Sequence, residues 1–401
     1  MTNLQPLPGM TPMRTRPVTA FRFAFIGCAT MVMTVVGHAQ SFTQTFGGPG
    51  AQDGIGAWPA PEGYRVAIRT HDSMLEGFNA VLQTTNATGG TLGAITWPIT
   101  GNAFIQATVP AVDGSAFIIG SVLMGGVEKH DILFSKVIPD GTIQWTRTVA
   151  LSGSQQLFGG HALPDGGAVF CGLTEVAGLH QPFAVRCDAA GDTIWSHVEP
   201  MATDAELYAV ATDGDHLLFT GRTMTFGGHD DVLLFKADMA GAPIWSTSIG
   251  GTATDKGRSI AYAGNNEWVV AGWTDSVGPL DQSSQRRSLR AYLIGLNDDG
   301  DTTWTRTFGD TLYDQRLFAM ERVSAADIYL AGERSTPYGS DAVLMKVSAS
   351  GELLWERVLD LGREDRLSGI MALPDGVIGT GWSFGEYGRQ VLFVRRGPDG
   401  N

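Results

Sequence analysis

Polar residues, acidic in five of seven copies, recur about ten residues after most of a series of regularly spaced aromatic residues, chiefly tryptophans, with Asn102 in a shortened copy and Gln156 in the next. Each precedes a stretch of alternating apolar and polar residues, the pattern of a half-buried β-strand. Converging carboxylates favour hard cations, so the first chemistry to consider is a cation site or a pocket for a polar ligand. The alternative is that each side chain caps its own loop by accepting backbone N–H bonds, which is the usual role of a position repeated throughout a fold. The candidate positions are Asp53, Asn102, Gln156, Asp204, Asp255, Asp314 and Asp365.

A second polar set precedes another strand of the repeat, and strand-entry capping explains it equally well. Four histidines lie in or beside loops of four different copies, too far apart in the pattern to converge on one zinc ion. The polar set is Asn79, Asp131, Asp231 and Asp341, and the histidines are His71, His130, His180 and His229.

One loop departs from the acidic character of the chain. Between Thr274 and Ala291 it is longer than its counterparts and contains Arg286, Arg287 and Arg290. These arginines could engage an acidic partner or pair with the protein's own aspartates, and a solvated insertion is the competing interpretation. We therefore name them as a candidate partner-binding loop.

Aromatic residues and cysteines add weaker indications. Aromatics in the second-to-third loops could form a sugar- or peptide-binding surface, although scattered exposed aromatics are common. Cys171 and Cys187 lie on neighbouring predicted strands, and whether they oppose each other closely enough for a disulfide depends on a register that the sequence leaves open. The aromatics are Phe226, Tyr338, Phe384 and Tyr387.

These residues are positioned by an internal repeat of about 50 residues. Its marker is a tryptophan with a glycine four positions before it, as in DAAGDTIW and SASGELLW. Phe42 in SFTQTFGG takes the place that Trp304 has in TWTRTFGD and marks a seventh copy. The repeat tryptophans are Trp97, Trp145, Trp195, Trp245, Trp304 and Trp355, and the glycines are Gly93, Gly141, Gly191, Gly241, Gly300 and Gly351.

Each copy contains four short strands bounded by Gly, Asp and Asn turns. Seven such copies predict an all-β, seven-bladed β-propeller of four-stranded antiparallel blades. The first strand, residues 41–46, is a spare tryptophan-type strand, and the last copy lacks one. We expect the N-terminal strand to complete the last blade and close the ring, which would cover both sheet edges.

The full pattern resembles bacterial secreted proteins built from degenerate, Trp-anchored propeller repeats, and its Gly-x-x-x-Trp segments are distantly similar to those of quinoprotein-like propellers. The resemblance covers nearly all of residues 41–401 and implies a scaffold rather than a particular chemistry. First-to-second and third-to-fourth turns are short. The fourth-to-first and second-to-third loops vary, so we expect binding on the face that they share, the variable-loop face.

The sequence lacks the motifs of several enzyme classes. It contains no Gly-rich phosphate loop, no His-Glu-x-x-His and no Gly-x-Ser-x-Gly. We assign no catalytic residue and favour a non-catalytic binding or interaction module. The alternatives are a polysaccharide hydrolase or lyase with channel-mouth aspartates as acid and base, and a cell-envelope scaffold of quinoprotein-like type. A carboxyl with a strongly raised pKa in a deep pocket would favour the enzyme.

The N-terminus predicts the location. Residues 1–39 combine three arginines and no acidic residue with a fourteen-residue apolar core, FAFIGCATMVMTVV, and a Gly-His-Ala segment. This is the pattern of a signal peptide cleaved after Ala39, although translation starting at Met13 would give a leader of more ordinary length. We expect a single propeller domain over residues 40–401 that is secreted, periplasmic or at the cell surface.

The composition and net charge of the chain limit the classes of partner that it is expected to bind. The chain has 401 residues, 43% of them hydrophobic, and 53 glycines, which suits a large core with many turns. Its net charge of −14 argues against nucleic acid and anionic membranes. We expect a monomer with a protein or glycan partner, no membrane insertion after cleavage, and no cofactor except calcium at the acidic positions.

Overall fold

The computed structural model places every regular element of its described residues in β-strands. The predicted signal peptide, residues 1–39, lies outside the described part. In that part no helix is long and apolar enough to cross a membrane. The structure describes residues 40–401 except 49, 73–76, 98, 100–101, 124–128, 226, 279, 281–286, 311, 325 and 386–387.

The strands form seven antiparallel sheets of four, which are the blades of the predicted propeller. Strand β1, Phe42–Phe46, belongs to the last blade. Blade 1 comprises β2 (Ala51–Ala60), β3 (Gly63–Asp72), β4 (Gly77–Asn86) and β5 (Thr91–Thr96). Blade 2 comprises β6 (Asn102–Pro110), β7 (Ala116–Leu123), β8 (His130–Val137) and β9 (Ile143–Val149). Blade 3 comprises β10 (Gln155–Ala162), β11 (Ala168–Val176), β12 (Leu179–Cys187) and β13 (Thr193–Val198).

The second half of the chain repeats this order. Blade 4 comprises β14 (Ala205–Thr212), β15 (His216–Met224), β16 (Asp230–Asp238) and β17 (Pro243–Ile249). Blade 5 comprises β18 (Asp255–Gly264), β19 (Glu267–Thr274), β20 (Arg290–Asn297) and β21 (Thr302–Phe308). Blade 6 comprises β22 (Gln315–Arg322), β23 (Asp327–Thr336), β24 (Gly339–Ser348) and β25 (Leu353–Leu359). Blade 7 comprises β26 (Asp365–Leu373), β27 (Gly376–Gly385), β28 (Gly388–Arg396) and β1.

The N-terminal strand closes the ring, as the repeat pattern predicts. Strand β1 pairs antiparallel with β28, from Phe42 opposite Arg395 to Phe46 opposite Val391. The inner strand of blade 1 in turn packs against blade 7. The fold class predicted from the repeat is thereby confirmed.

Apolar side chains between adjacent blades form the core, and the repeat tryptophans lie at its outer edge. Trp195 of blade 3 packs on the turn between β16 and β17 of blade 4. Its indole N–H donates to the Met239 carbonyl of that turn at 3.2 Å. A Cβ atom on Gly241 would lie 2.8 Å from this ring, and Gly241 has a φ of 81°. Glycine is therefore needed both for the turn and for the close approach of the indole. Phe42 has the same relation to Gly89 of blade 1.

Blade 1 departs from the alignment proposed from the sequence. The residue that pairs like Trp145 is Gly93, opposite Thr84, and its turn glycine is Gly89. Trp97 lies four residues further along and is buried in the core instead. The Arg65 side chain covers Gly141, where a tryptophan would otherwise pack. Gly93 and Trp97 have the spacing of the motif, but Trp97 does not lie at the structural position that the motif tryptophan has in the other blades.

The register also answers the question left open for the cysteines. Cys171 on β11 lies opposite Ala184, whereas Cys187 on β12 lies opposite Ala168. Both are buried free thiols. Burial raises the pKa of Cys187 to about 11 and that of Cys171 further, so neither is a reactive thiolate at neutral pH.

Candidate functional site

A β-bulge interrupts the innermost strand of every blade at the same point. Each bulge adds one residue that has no partner on the second strand, and such residues are commonly redirected toward a site. The seven bulge residues all line the central channel. They are Ile55, Gln106, Phe158, Tyr208, Arg258, Phe318 and Ser368.

The channel encloses a cavity of about 830 Å³. This volume is in the range of small-molecule sites, which are mostly apolar with a few convergent polar groups. The inner strands begin on the variable-loop face, so the bulge residues lie below the channel mouth on that face. Residues near the ends of the strands line the opposite half of the channel.

Charged side chains surround the mouth in paired networks. In blades 4 and 5, Arg222 bridges Glu206 and Asp230, the latter at 2.9 Å. Lys256 pairs with the other oxygen of Asp230 at 2.8 Å. Burial opposes ionisation of Glu206, but hydrogen bonds from Arg222 and Tyr208 outweigh it and lower the pKa of this carboxyl.

A second network lies on blades 6, 7 and 1. Glu333 accepts hydrogen bonds from Arg316 at 2.9 Å and from Arg366 at 2.7 Å. Asp53 pairs with Arg69 at 2.6 Å and with Arg389 at 3.7 Å. Each arginine of these two networks therefore has a carboxylate partner, which offsets the cost of placing its charge in the channel wall.

Arg258 lies between the two networks and differs from their arginines. Among the described residues no carboxylate is within ion-pair distance of it, and its buried Nε has no hydrogen-bond partner. Its guanidinium lies 4.0 Å from the centre of the Tyr208 ring and 5.8 Å from that of Trp273. Burial lowers the pKa of Arg258, although Tyr208 and the negative charge of Glu206 partly offset the shift.

Tyr208 connects Arg258 to the paired network. Its hydroxyl donates to Glu206 at 2.6 Å, and its ring lies 5.7 Å from that of Phe158. Burial raises the pKa of Tyr208 to about 12, so the phenol is protonated at neutral pH. Arg366 stacks similarly on Phe318, at 4.5 Å. The mouth thus presents stacked guanidinium and aromatic planes.

The far half of the channel contains two further ionisable groups. Glu321 and His161 lie at equivalent positions on blades 6 and 3, opposite Tyr329 and Val169. Water reaches Glu321, but the surrounding protein raises its pKa to about 7, while burial lowers the pKa of His161. Glu321 is three residues beyond the bulge, so it lies about 10 Å deeper than Phe318.

The aspartates predicted to form a ring occupy three different register positions. Asp204 and Asp314 lie four residues before their bulge residue, and Asn102 begins β6 at the same position. Asp255 and Asp365 lie three residues before it, and Asp53 lies two before it. The structure does not bring these side chains into a single ring.

Four of these aspartates accept hydrogen bonds from backbone N–H groups, two from the preceding blade and two from their own loop. Asp204 accepts from the His180 N–H at 2.7 Å, and Asp314 accepts from Leu289 at 2.8 Å. In both cases the donor lies in the preceding blade, at or just before its third strand. Asp255 accepts from the Gly251 N–H, and Asp365 from that of Leu361. Asp53 faces the mouth and pairs with arginines, as described above.

Two aspartates of the second polar set lie close to aspartates of the first set at the junctions between blades. Asp341, at the start of β24, lies close to Asp365, and Asp231, on β16, lies close to Asp255. The four histidines remain on four different blades. His180 contacts Glu206 at 3.1 Å, and His229 lies 3.5 Å from Asp231.

The candidate partner-binding loop lies partly outside the described residues, and Arg286 is one of the residues outside them. Arg287 donates to the Gly278 carbonyl at 3.0 Å, and Arg290 donates to that of Phe308 at 3.1 Å. These two arginines thus donate to backbone carbonyls of other residues in blade 5. Of the loop aromatics, Tyr338 and Phe384 are exposed, and Phe226 and Tyr387 lie outside the described part.

Sequence analysis did not identify the bulge residues, although a signal for them is present. Each is followed by Gly, Ala or Ser. A Cβ on Gly159 would lie 2.2 Å from the Tyr208 carbonyl of the next blade, so the inner strands leave no room there for a large side chain. A small residue at a fixed distance after the strand entry marks the bulge.

Comparison with known proteins adds the fold alone. No protein-family model matches the chain, and no curated protein sequence does. Solved structures that it resembles include the β-propeller domain of the Trilobed protease from Pyrococcus furiosus, with 9% identity, TM-score 0.50, and coverage of 89% of this chain and 98% of that one. A polysaccharide lyase, an ulvan lyase bound to -[GlcA(1-4)Rha3S]-, has 10% identity, TM-score 0.51 and coverage of 88% and 96%. The WD40 domain of Neurospora crassa Pan2 has 8% identity, TM-score 0.53 and coverage of 90% and 96%.

Proposed function

We propose that the protein is a secreted, non-catalytic binding module that holds an acidic glycan at the channel mouth of its variable-loop face. The observation that carries the proposal is Arg258, a cation in the channel wall with no carboxylate partner among the described residues. A buried charge is costly unless it is paired. An anionic ligand group would supply the missing partner.

The surroundings of Arg258 favour a planar anion on a larger ring. A guanidinium recognises a carboxylate through two parallel hydrogen bonds. Tyr208 holds the guanidinium plane from one side, and Phe158 and Phe318 add apolar surface on the neighbouring bulges. The cavity of about 830 Å³ has room for a few sugar units.

The choice of a glycan also draws on one structural neighbour. The ulvan lyase is bound to a saccharide that contains GlcA, an acidic sugar. At 10% identity that protein supplies only a ligand class to test. The role of Arg258 is argued from this chain alone.

The protonation states near Arg258 favour binding over catalysis. Tyr208 has a pKa of about 12, so it is a poor base, and Glu206 has a lowered pKa and is a poor acid. General acid–base catalysis works best with groups whose pKa lies near the operating pH.

The second candidate, a polysaccharide hydrolase or lyase, has one observation in its favour. Glu321 lines the same cavity and has a pKa of about 7, as expected for a general acid. It lies about 10 Å deeper than the bulge residues, and its half of the channel has no second carboxylate among the described lining residues. The third candidate, an envelope scaffold, makes no use of the channel.

Calorimetric titration with oligogalacturonate tests the proposal, with a neutral maltooligosaccharide of equal length as the comparison ligand. We expect Arg258→Ala to weaken binding of the acidic sugar at least tenfold, because the channel-mouth arginine without a carboxylate partner among the described residues is lost. Arg306→Ala is the matched control, since Arg306 also stacks on a ring, that of Trp304, but pairs with Glu352 outside the channel. Equal binding by Arg258→Ala and the native protein would refute the proposal.

Two further readouts separate the alternatives. Appearance of an unsaturated or shortened sugar product, lost in Glu321→Gln, would establish the enzyme instead of the binding module. Equally tight binding of poly-glutamate would replace the glycan with an acidic peptide. Arg258→Ala should melt close to the native protein, because relief of the unpaired charge offsets the loss of stacking on Tyr208 and Trp273.

A further inference from the structure

Three carboxylates meet at the junction of blades 6 and 7, away from Arg258. Asp341 begins the buried part of β24, Asp360 lies in the loop after β25, and Asp365 begins β26. One oxygen from each lies within 4.8 Å of the others. We call this group the junction carboxylates.

One of the three is a buried carboxylate with an unsatisfied oxygen. Asp365 is fully buried, and its Oδ1 has no hydrogen-bond partner among the described residues, whereas Oδ2 accepts from the Leu361 N–H at 2.7 Å. Leaving a charged oxygen without a partner in the interior is strongly unfavourable. The atom therefore points to a partner of positive charge.

No cation among the described residues provides that partner. The nearest to Asp341 is Arg334, at 3.9 Å, which is a long ion pair. Burial raises the pKa of both Asp341 and Asp365, and the negative charge of Asp360 raises both further, while a hydrogen bond from Ser383 partly offsets the shift at Asp365. The three carboxylates thus repel one another. The equivalent junction between other blades has a different set of side chains.

The junction of blades 4 and 5 gives the internal comparison. Asp231 and Asp255 meet there in the same way, but a third carboxylate is absent from the described residues of that cluster. Asp255 instead accepts hydrogen bonds from the Gly251 N–H at 2.8 Å and from Ser276 at 2.7 Å. His229 lies beside Asp231. The pair alone is explained by capping, and the added Asp360 is not.

We propose that the junction carboxylates bind a calcium ion that joins blades 6 and 7. Calcium takes oxygen ligands at about 2.3–2.6 Å, so two of its ligands lie up to about 5 Å apart, whereas magnesium requires a tighter cage. An oxygen-only donor set disfavours zinc and other softer metals. The exposed Asp360 gives the ion access from solvent.

The surrounding backbone explains what the ion would stabilise. The Ser340 N–H donates to the Arg363 carbonyl at 3.2 Å, and Ser340 forms an isolated bridge with Glu364. The loop after β25 is thus attached to the start of β24 through the backbone of Ser340. Calcium would add a further connection between the same two segments, next to the blade that the N-terminal strand completes.

Thermal melts of the full chain in EDTA, calcium or magnesium test this proposal. We expect calcium at a hundredfold excess over its Kd to raise the melting temperature by about 3 °C, and magnesium to raise it less. Asp360→Asn should abolish the calcium shift while leaving the melt in EDTA unchanged or higher, because the residue is exposed and repels its neighbours.

Asp255→Asn is the matched control, because it alters the equivalent blade junction without touching the junction carboxylates. It should lower the melting temperature but keep the calcium shift. The proposal is wrong if the native protein shows no shift, if Asp360→Asn keeps it, or if magnesium shifts the melt as much as calcium. The test is independent of glycan binding, because Arg258 is intact throughout.

Discussion

Replacing Gly241 by alanine should destabilise the propeller through two separable effects. Gly241 has a φ of 81°, a conformation that costs a residue with a Cβ about 1 kcal/mol. Its new Cβ would also lie 2.8 Å from the Trp195 ring, well inside van der Waals contact. Displacing a packed indole is a form of overpacking that costs about 1–3 kcal/mol. We expect a total loss of about 2–4 kcal/mol.

Gly228 in the same blade provides a control for the backbone effect. Its φ is also 81°, and its turn has the same pair of backbone hydrogen bonds, but a Cβ there would meet no atom of the described residues within 4 Å. Gly228→Ala should therefore cost about 1 kcal/mol. The difference between the two variants measures the contact with Trp195 alone.

Equilibrium urea unfolding followed by circular dichroism gives both free energies. Trp195→Leu completes a double-mutant cycle, and in that background Gly241→Ala should cost no more than Gly228→Ala does. Equal losses for the two glycine variants in the native background would show that the indole does not depend on the glycine, and the packing argument would fail.

Two other perturbations test the channel and the ring closure. Burial raises the pKa of Glu321 in the folded protein to about 7 from an ordinary value of 4.5, so its contribution to stability is fully present below pH 4.5 and is lost as the pH rises through 7. Glu321→Gln should remove about 1–2 kcal/mol of this decline, after allowance for screening by channel water; parallel stability–pH profiles would contradict the assignment. Phe42 lies 5.0 Å from Phe393 and packs on Gly89, so Phe42→Ala should cost about 2 kcal/mol in the same urea assay. An unchanged midpoint would mean that β1 contributes little to closure.

The sequence predicts the architecture well because each blade repeats the same hydrophobic alternation and turn residues. Phe42 could be placed in the last blade from its match to Trp304, since both segments share their flanking residues. Trp97 was misplaced because one Gly-x-x-x-Trp spacing fits the motif by coincidence, and only strand pairing reveals that Gly93 has the equivalent position.

The candidate site was harder to predict, because it depends on register. Asp53, Asp204 and Asp255 look equivalent in sequence, yet shifts of one residue send successive side chains to opposite faces of a strand. The bulge then redirects Arg258 into the channel, and no alternation pattern reports that. Among the described residues Arg258 has no carboxylate within ion-pair distance, and this depends on how several strands are placed together.

The pairing of β1 with β28 has a consequence for how the chain folds. It joins residues that are about 350 positions apart, whereas the other strand pairs are local hairpins. Loop-closure entropy makes such a contact about 3 kcal/mol less favourable to form from the open chain than one ten residues apart. Closure should follow blade formation, and until then blade 7 and β1 each have an unpaired edge. The step that completes the ring is therefore also the one at which two partly folded copies are most able to exchange their first strands.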